Sequence, residues 1–222
     1  MFKHNDKKIK IYTDGANIDQ IIKLAKDELI DGITTNPTLM RKSGVTNYMN
    51  FAKAAVDACQ GKSLSLEVFS DDPIIMLEQA YKLSELGDSV VVKIPITNTK
   101  GEYCYNLVKR LVRQKVKVNV TAIMTLNQVQ NIADCLNAEV PSYVSVFAGR
   151  IADTGVDPLP IMEAAVKILS PNISAELIWA SPRELLNIFQ ADKIGCQVIT
   201  VTNDILKKLS HIGYNLDEYS LD

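Results

Sequence analysis

Short runs of β-branched and other apolar residues recur along the chain, each followed by a polar turn and then by a stretch whose apolar positions have helical spacing. The runs read IKIYTD, DGITTN, SLSLEV, VVVKIP, KVNVTAI, YVSVFA, AELIWA and QVITV, beginning near residues 9, 31, 63, 90, 117, 143, 175 and 197. Runs of this length and composition predict strands. Segments such as IDQIIKLAKDEL, NYMNFAKAAVDAC, DPIIMLEQAYKLSEL and TLNQVQNIADCL predict helices between them, the first entered through Asn17, whose short amide suits an N-cap. Strict alternation of strand and helix implies a mostly parallel sheet. Eight such units in 222 residues predict an α/β protein with a single (β/α)8 TIM barrel over residues 1–222. An open doubly wound sheet is the competing arrangement, but no G-x-G-x-x-G turn or P-loop follows an early strand.

Buried parallel strands are expected to be apolar nearly throughout. The exceptions gather toward the C-terminal ends of the predicted strands: Asp14, Asn36, Glu67, Lys93, Asn119 with Thr121, Ser145 with Phe147, and Trp179 with Ser181. Residues two apart share a face of a strand, so Asn119 and Thr121 point the same way, as do Ser145 and Phe147. If those faces look inward, polar groups converge on the C-terminal mouth, where barrels of this type place their chemistry. Lys93 stands out, set in VVVKIP between Val92 and Ile94. Turned inward it would be poorly hydrated. Desolvation disfavours an ammonium and favours a nucleophilic amine able to form a Schiff base with a carbonyl. The alternative is a strand-end lysine that reaches solvent or pairs with Glu67 or Asp14. Asp14 and Glu67 offer two carboxylates for acid and base roles, or else a turn-forming aspartate before Gly15 and a glutamate paired with a lysine.

Composition narrows the partners. The net charge of -2, with no basic stripe, gives no footprint for nucleic acid or a membrane surface. The opening MFKHNDKKIKIY lacks the apolar segment and cleavage site of a signal peptide. No apolar run approaches the ~18 residues that cross a bilayer, so a cytoplasmic location is expected. Cys59, Cys104, Cys135 and Cys196 are widely spaced and predict buried thiols rather than a disulfide framework or zinc site. His4 in the leader and His211 in a late helix read as solvent-exposed bystanders. A Ser-His-Asp triad or a histidine-rich metal site is therefore not expected, and acid–base work falls to carboxylates, lysine, tyrosine or water.

At these residues the sequence resembles the transaldolase family. DGITTNPTL (31–39), VVVKIPIT (90–97), NVTAIMTLNQ (119–128), SVFAGRIADTG (145–155) and WASPRE (179–184) look like the family's segments and follow in its order over nearly the whole chain. The resemblance implies a mechanism without cofactor or metal. Lys93 would attack the C2 carbonyl of a ketose phosphate and Asp14 would remove the C4 hydroxyl proton. The C3–C4 bond would break, and the dihydroxyacetone unit would stay on Lys93 until an aldose phosphate takes it. The implied reaction converts sedoheptulose 7-phosphate and glyceraldehyde 3-phosphate to erythrose 4-phosphate and fructose 6-phosphate, in the non-oxidative pentose phosphate pathway. Glu67 and Thr121 match a water-mediated proton relay. Asn36, Asn119 and Ser145 match positions that hold the ketol hydroxyls. Arg150, Ser181 and Arg183 match the phosphate site, with Asp153 expected to orient Arg150; read without the resemblance, each arginine is a surface residue. The implied partners are sugar phosphates and further copies of the chain, in a homo-oligomer such as a decamer.

The sequence also departs from that pattern. Gly15-Ala16 stands where members often carry Thr-Ala or Thr-Ser, and Pro182 where an aromatic residue is common. Little chain follows the last predicted helix, and its ending DEYSLD is polar. Among competing functions, a fructose-6-phosphate aldolase would share the lysine but release free dihydroxyacetone. It resembles a tyrosine and a glutamine where this chain has Phe147 and Glu67, and a phenylalanine cannot protonate an enamine, which favours transfer. A sugar-phosphate-binding barrel without turnover would keep Arg150, Ser181 and Arg183 but would not need the Lys93–Asp14 pair. A metal-dependent epimerase lacks its ligand histidines.

Overall fold

All eight apolar runs form strands, and their observed starts fall within one residue of those expected. The computed structural model describes residues 8–221, so the leader with His4 lies outside the described residues. The strands are β1 (Lys10–Asp14), β2 (Gly32–Thr34), β3 (Ser63–Glu67), β4 (Val90–Pro95), β5 (Val118–Ile123), β6 (Ser142–Val146), β7 (Ala175–Trp179) and β8 (Val198–Val201). Each pairs in parallel with the next, and β8 returns to pair with β1, closing a barrel ringed by helices. This is the (β/α)8 arrangement, not an open sheet. No helix among the described residues is long and apolar enough to cross a membrane.

Strand alternation divides the apolar residues into two populations. Ile11, Ile33, Leu66, Val92, Val120, Val144, Leu177 and Ile199 pack with helix residues such as Ile21, Phe51, Met76, Leu111 and Ile188 in the main core outside the barrel wall. Their strand neighbours Tyr12, Ile178 and Val198 join Ala180 in a separate cluster inside it, with Tyr143 and Phe147 packed against them. The Tyr12 and Tyr143 hydroxyls share a hydrogen bond of 2.7 Å, and their rings meet edge to face at 5.7 Å. Gly32 makes room for this plug: a Cβ there would lie 2.6 Å from the Tyr12 ring. Below it, Lys10 and Glu176 pair at 2.7 Å. The barrel axis is thus filled beneath the C-terminal mouth.

The helix entries follow the local chemistry. Asn17 accepts a hydrogen bond from the Gln20 amide at the start of Ile18–Ala25, as its position suggested. That helix stops short of the predicted DEL segment. Asp27 accepts from the Leu29 amide and its carbonyl takes the Ile30 amide, which turns the chain into β2. Asp72 caps Pro73–Ser84, and Thr125 with Gln128 forms a capping box on Leu126–Ala133. Cys59, Cys104 and Cys196 are buried and Cys135 is half-buried, all as free thiols. His211 is exposed in the turn Lys208–His211, beside the rings of Tyr214 and Tyr219. The ending forms a helix, Leu216–Leu221, with no buried residue.

Candidate active site

The register of three adjacent strands sets Glu67 beside Lys93 and Lys93 beside Asn119. Lys93 is only 8% exposed. Its Nζ donates to the Thr35 carbonyl oxygen at 3.0 Å and lies 3.3 Å from Glu67 Oε2. The lysine therefore points into the barrel and does not snorkel; of the alternatives its sequence left open, the pairing with Glu67 is present. The Thr35 carbonyl is available because β2 ends at Thr34. Asn36, in extended conformation, then opens the helix Pro37–Lys42 by accepting the Leu39 amide at 2.9 Å. The carbonyl of the Asn36 side chain is thus engaged as a cap, and its NH2 is the end left to meet a ligand.

Asp14 closes β1 on the same side. Its Oδ1 accepts a hydrogen bond from the Thr34 hydroxyl, which in turn lies 2.7 Å from the Thr200 hydroxyl. Burial pushes the Asp14 carboxyl above the usual aspartate range, with Lys93 and the Thr34 hydrogen bond opposing the shift. Burial raises Glu67 as well; Lys93 opposes that shift, and the charge of Asp14 adds to it. Two carboxyls with raised proton affinity thus flank one buried amine.

Asn119 and Thr121 share the inward face, as expected. Asn119 is fully buried, donates to Ser65 Oγ at 3.0 Å and accepts from Ser145 Oγ at 2.7 Å. This chain of bonds links β3 to β6 through Asn119 of β5 and fixes its amide in the interior. Thr121, one turn of the pleat higher, is 3% exposed, and its hydroxyl has no hydrogen-bond partner among the described residues. The strand then bulges: Ala122 takes φ 63° where the β5–β6 register shifts.

The remaining predicted residues lie on the loops after β6 and β7. Phe147 leads into the short helix Ala148–Ala152, and its ring packs on the inner cluster. The Arg150 guanidinium sits 5.8 Å over that ring. Ser181 adopts φ 59° in the facing loop, and Gly149 approaches it so closely that a Cβ would fall 1.5 Å from the Ser181 carbonyl oxygen. Arg183 is exposed and makes a two-pronged contact with Asp153: Nε donates to Oδ1 at 2.9 Å and Nη2 to Oδ2. Asp153 therefore orients Arg183 and not Arg150 as expected. The planar fork reaching across from the β7 loop matches both carboxylate oxygens, while Arg150 turns toward Phe147. Trp179, grouped by sequence with the mouth, faces the helical layer and belongs to the main core.

Sequence reasoning missed Thr34, Thr35, Ser65 and Thr200, which hold the polar groups in place, and Tyr48, whose hydroxyl donates to the Glu67 carbonyl at 2.8 Å. Among the described residues, no three His, Cys, Asp or Glu side chains cluster closely enough to hold a metal ion. The arrangement can bind an anionic ligand at one rim and move protons around an amine at the other.

The sequence model of the family described as Transaldolase/Fructose-6-phosphate aldolase matches residues 11–219. A "Probable transaldolase" of Thermoanaerobacter sp. (strain X514) is 34% identical over 202 residues, covering 90% of this chain and 89% of the relative. Another from Nitrosopumilus maritimus (strain SCM1) is 34% identical over 203 residues, covering 90% and 87%. Among solved structures, a dihydrodipicolinate synthase superposes with a TM-score of 0.60 at 11% identity, covering 87% of this chain and 70% of its own. CdNal from Clostridium difficile, in complex with mannosamine, gives a TM-score of 0.56 at 16% identity, covering 87% and 69%. At such identities the structural likeness shows the barrel fold alone.

Proposed function

This chain belongs to the transaldolase/fructose-6-phosphate aldolase family and is a transaldolase-type enzyme, and from that premise we propose that it passes a dihydroxyacetone unit from a ketose phosphate to an aldose phosphate through a Schiff base on Lys93. The observation that carries the reading is the Lys93 Nζ, buried 3.3 Å from a carboxylate whose proton affinity burial has raised. Glu67 is thus an acceptor at hand for the ammonium proton. The freed amine attacks C2 of the ketose, and the carbinolamine loses water as a proton returns to the departing hydroxyl. The buried Thr121 hydroxyl, unpartnered among the described residues, suits a group that passes this proton through a bound water.

The iminium then draws the electron pair of the C3–C4 bond toward nitrogen. Asp14 takes the C4 hydroxyl proton, the new aldehyde leaves, and an enamine remains on Lys93. Burial makes Asp14 a stronger base than an exposed aspartate and lets it hold that proton until the next aldehyde arrives. Addition of the second aldose phosphate reverses these steps, and water releases the product ketose. In this reading the Asn36 amide and the second N–H of Asn119 donate to the ketol oxygens, and Ser145 Oγ, whose own proton goes to Asn119, accepts from a ketol hydroxyl. Arg150, Ser181 and the free edge of the Arg183 guanidinium receive the distal phosphate.

One feature separates transfer from simple cleavage. Release of free dihydroxyacetone requires protonation of the enamine carbon, and Phe147 presents a ring packed on the inner apolar cluster with no proton to give. The enamine therefore waits for an acceptor aldehyde. Treatment with borohydride in the presence of fructose 6-phosphate should trap the ketose iminium and add mass to a single lysine, in the peptide that holds Lys93. Adding erythrose 4-phosphate instead should yield sedoheptulose 7-phosphate without free dihydroxyacetone. An adduct on another lysine, or none, rejects the mechanism; free dihydroxyacetone as main product rejects transfer.

A further inference from the structure

The strand that closes the barrel contributes a residue that acts on the base. Thr200 lies on β8 and is 8% exposed. In register it stands beside Tyr12 of β1, two residues before Asp14 and on the same face, while Thr34 of β2 stands beside Asp14 itself. β1 lies between these two strands, so their hydroxyls meet at 2.7 Å beneath the Asp14 carboxylate. The Thr34 hydroxyl has one proton, and it goes to Asp14 Oδ1. The proton shared between the two threonines must then come from Thr200.

We propose that Thr200 is a positioning residue for the Asp14 base: it donates to Thr34 Oγ1, Thr34 donates to Asp14 Oδ1, and Oδ2 is left as the oxygen that takes the C4 hydroxyl proton. This rests on the reading of Asp14 as the base for cleavage. The chain has two consequences. With Oδ1 occupied, the carboxylate cannot rotate freely, so the lone pairs of Oδ2 keep one direction. Thr34, itself a hydrogen-bond acceptor from Thr200, is a stronger donor than an isolated hydroxyl, because successive hydrogen bonds polarise one another. The charged groups facing Asp14 are Lys93 from β4 and Glu67 from β3; from β2 and β8 it meets only the two neutral hydroxyls. The threonines therefore adjust the carboxylate without adding charge beside the amine.

The test replaces Thr200 with valine, which keeps shape and loses the hydroxyl, and with serine, which keeps the hydroxyl. In T200V, kcat for transfer from fructose 6-phosphate to erythrose 4-phosphate should fall about tenfold, the worth of one hydrogen bond. The acid limb of the kcat/KM profile should move to higher pH, because a less stabilised carboxylate holds its proton more tightly. Borohydride trapping of free dihydroxyacetone on Lys93 should stay at the wild-type level, since iminium formation needs no C4 proton. T200S should restore both rate and pH profile. Wild-type kinetics in T200V, or a serine variant as impaired as the valine one, overturns the proposal. If T200V does not fold, the pair T200A and T200S gives the same comparison. Undiminished cleavage in Asp14→Asn would instead sink the assignment of the base, whatever Thr200 does.

Discussion

Gly149→Ala is the substitution whose effect the geometry defines most sharply. The added Cβ would sit 1.5 Å from the Ser181 carbonyl oxygen, 2.7 Å from its carbon and 3.2 Å from Arg183 Nε. Ordinary contact begins near 3.4 Å, so the two loops must separate by 3.4 less 1.5, about 1.9 Å. Neither side yields easily. Gly149 is held in the helix Ala148–Ala152, and Ser181 already occupies left-handed backbone at φ 59°. Overpacking of this kind costs about 1–3 kcal/mol. For a domain of this size that lowers Tm by roughly 2–12 °C. The displaced loop carries Ser181 and Arg183 away from the mouth, so KM for fructose 6-phosphate should rise about tenfold or more, the loss of one charge-assisted hydrogen bond. Trapping of unphosphorylated dihydroxyacetone on Lys93 should be unaffected. Arg183→Ala serves as the control: it should raise KM for phosphorylated donors with little change in Tm, because its side chain is 46% exposed. Steady-state kinetics and thermal melts on both variants decide the matter. A Gly149→Ala enzyme with wild-type KM for fructose 6-phosphate would refute the role given to the Ser181–Arg183 loop.

Asp14→Asn should lower cleavage by about 10²–10⁴-fold, the usual contribution of a positioned base, while borohydride trapping at Lys93 persists; joint loss of both would contradict the separate roles of the two residues. The same variant should be stabilised at neutral pH. Burial raises the folded pKa of Asp14 above the ordinary 3.8, so the native state holds this proton more tightly, and its contribution is full below that value and lost as pH rises through the raised one. Asparagine never ionises, so its gain in Tm over wild type should appear near pH 8 and shrink near pH 4, and a gain of the reverse pH dependence would show the burial argument to be wrong. Phe147→Tyr should increase free dihydroxyacetone released per turnover, read by coupled reduction of that product. An active variant with an unchanged product split would remove Phe147 from the explanation of transfer.

The barrel was legible in the chain because its strands are buried on both faces and its turns are polar, so each strand start could be placed to within one residue. The mouth was legible for a related reason: Lys93, Asp14, Glu67 and Asn119 are residues that an apolar strand does not otherwise tolerate. What escaped notice was polar but ordinary in a strand. Thr34 and Thr200 fit β structure well, and Ser65 is small and neutral, so none of the three raises a flag. Thr35 acts on Lys93 through its backbone carbonyl, which every residue possesses. Ser181 and Ala122 take left-handed backbone without the glycine that would have announced it. Asp153 was paired with the nearer arginine in sequence. The bidentate match to Arg183 depends on two loops meeting in space, which spacing along the chain does not encode.

The tyrosine pair lodged over Gly32 has a consequence for the order of events. A vessel stoppered at its base has one door. In the proposed transfer the first aldehyde must back out through the same opening by which the second comes in, while the three-carbon fragment stays tethered at the blind end. Traffic of this kind enforces a ping-pong sequence, in which an acceptor that arrives early obstructs the donor instead of helping it.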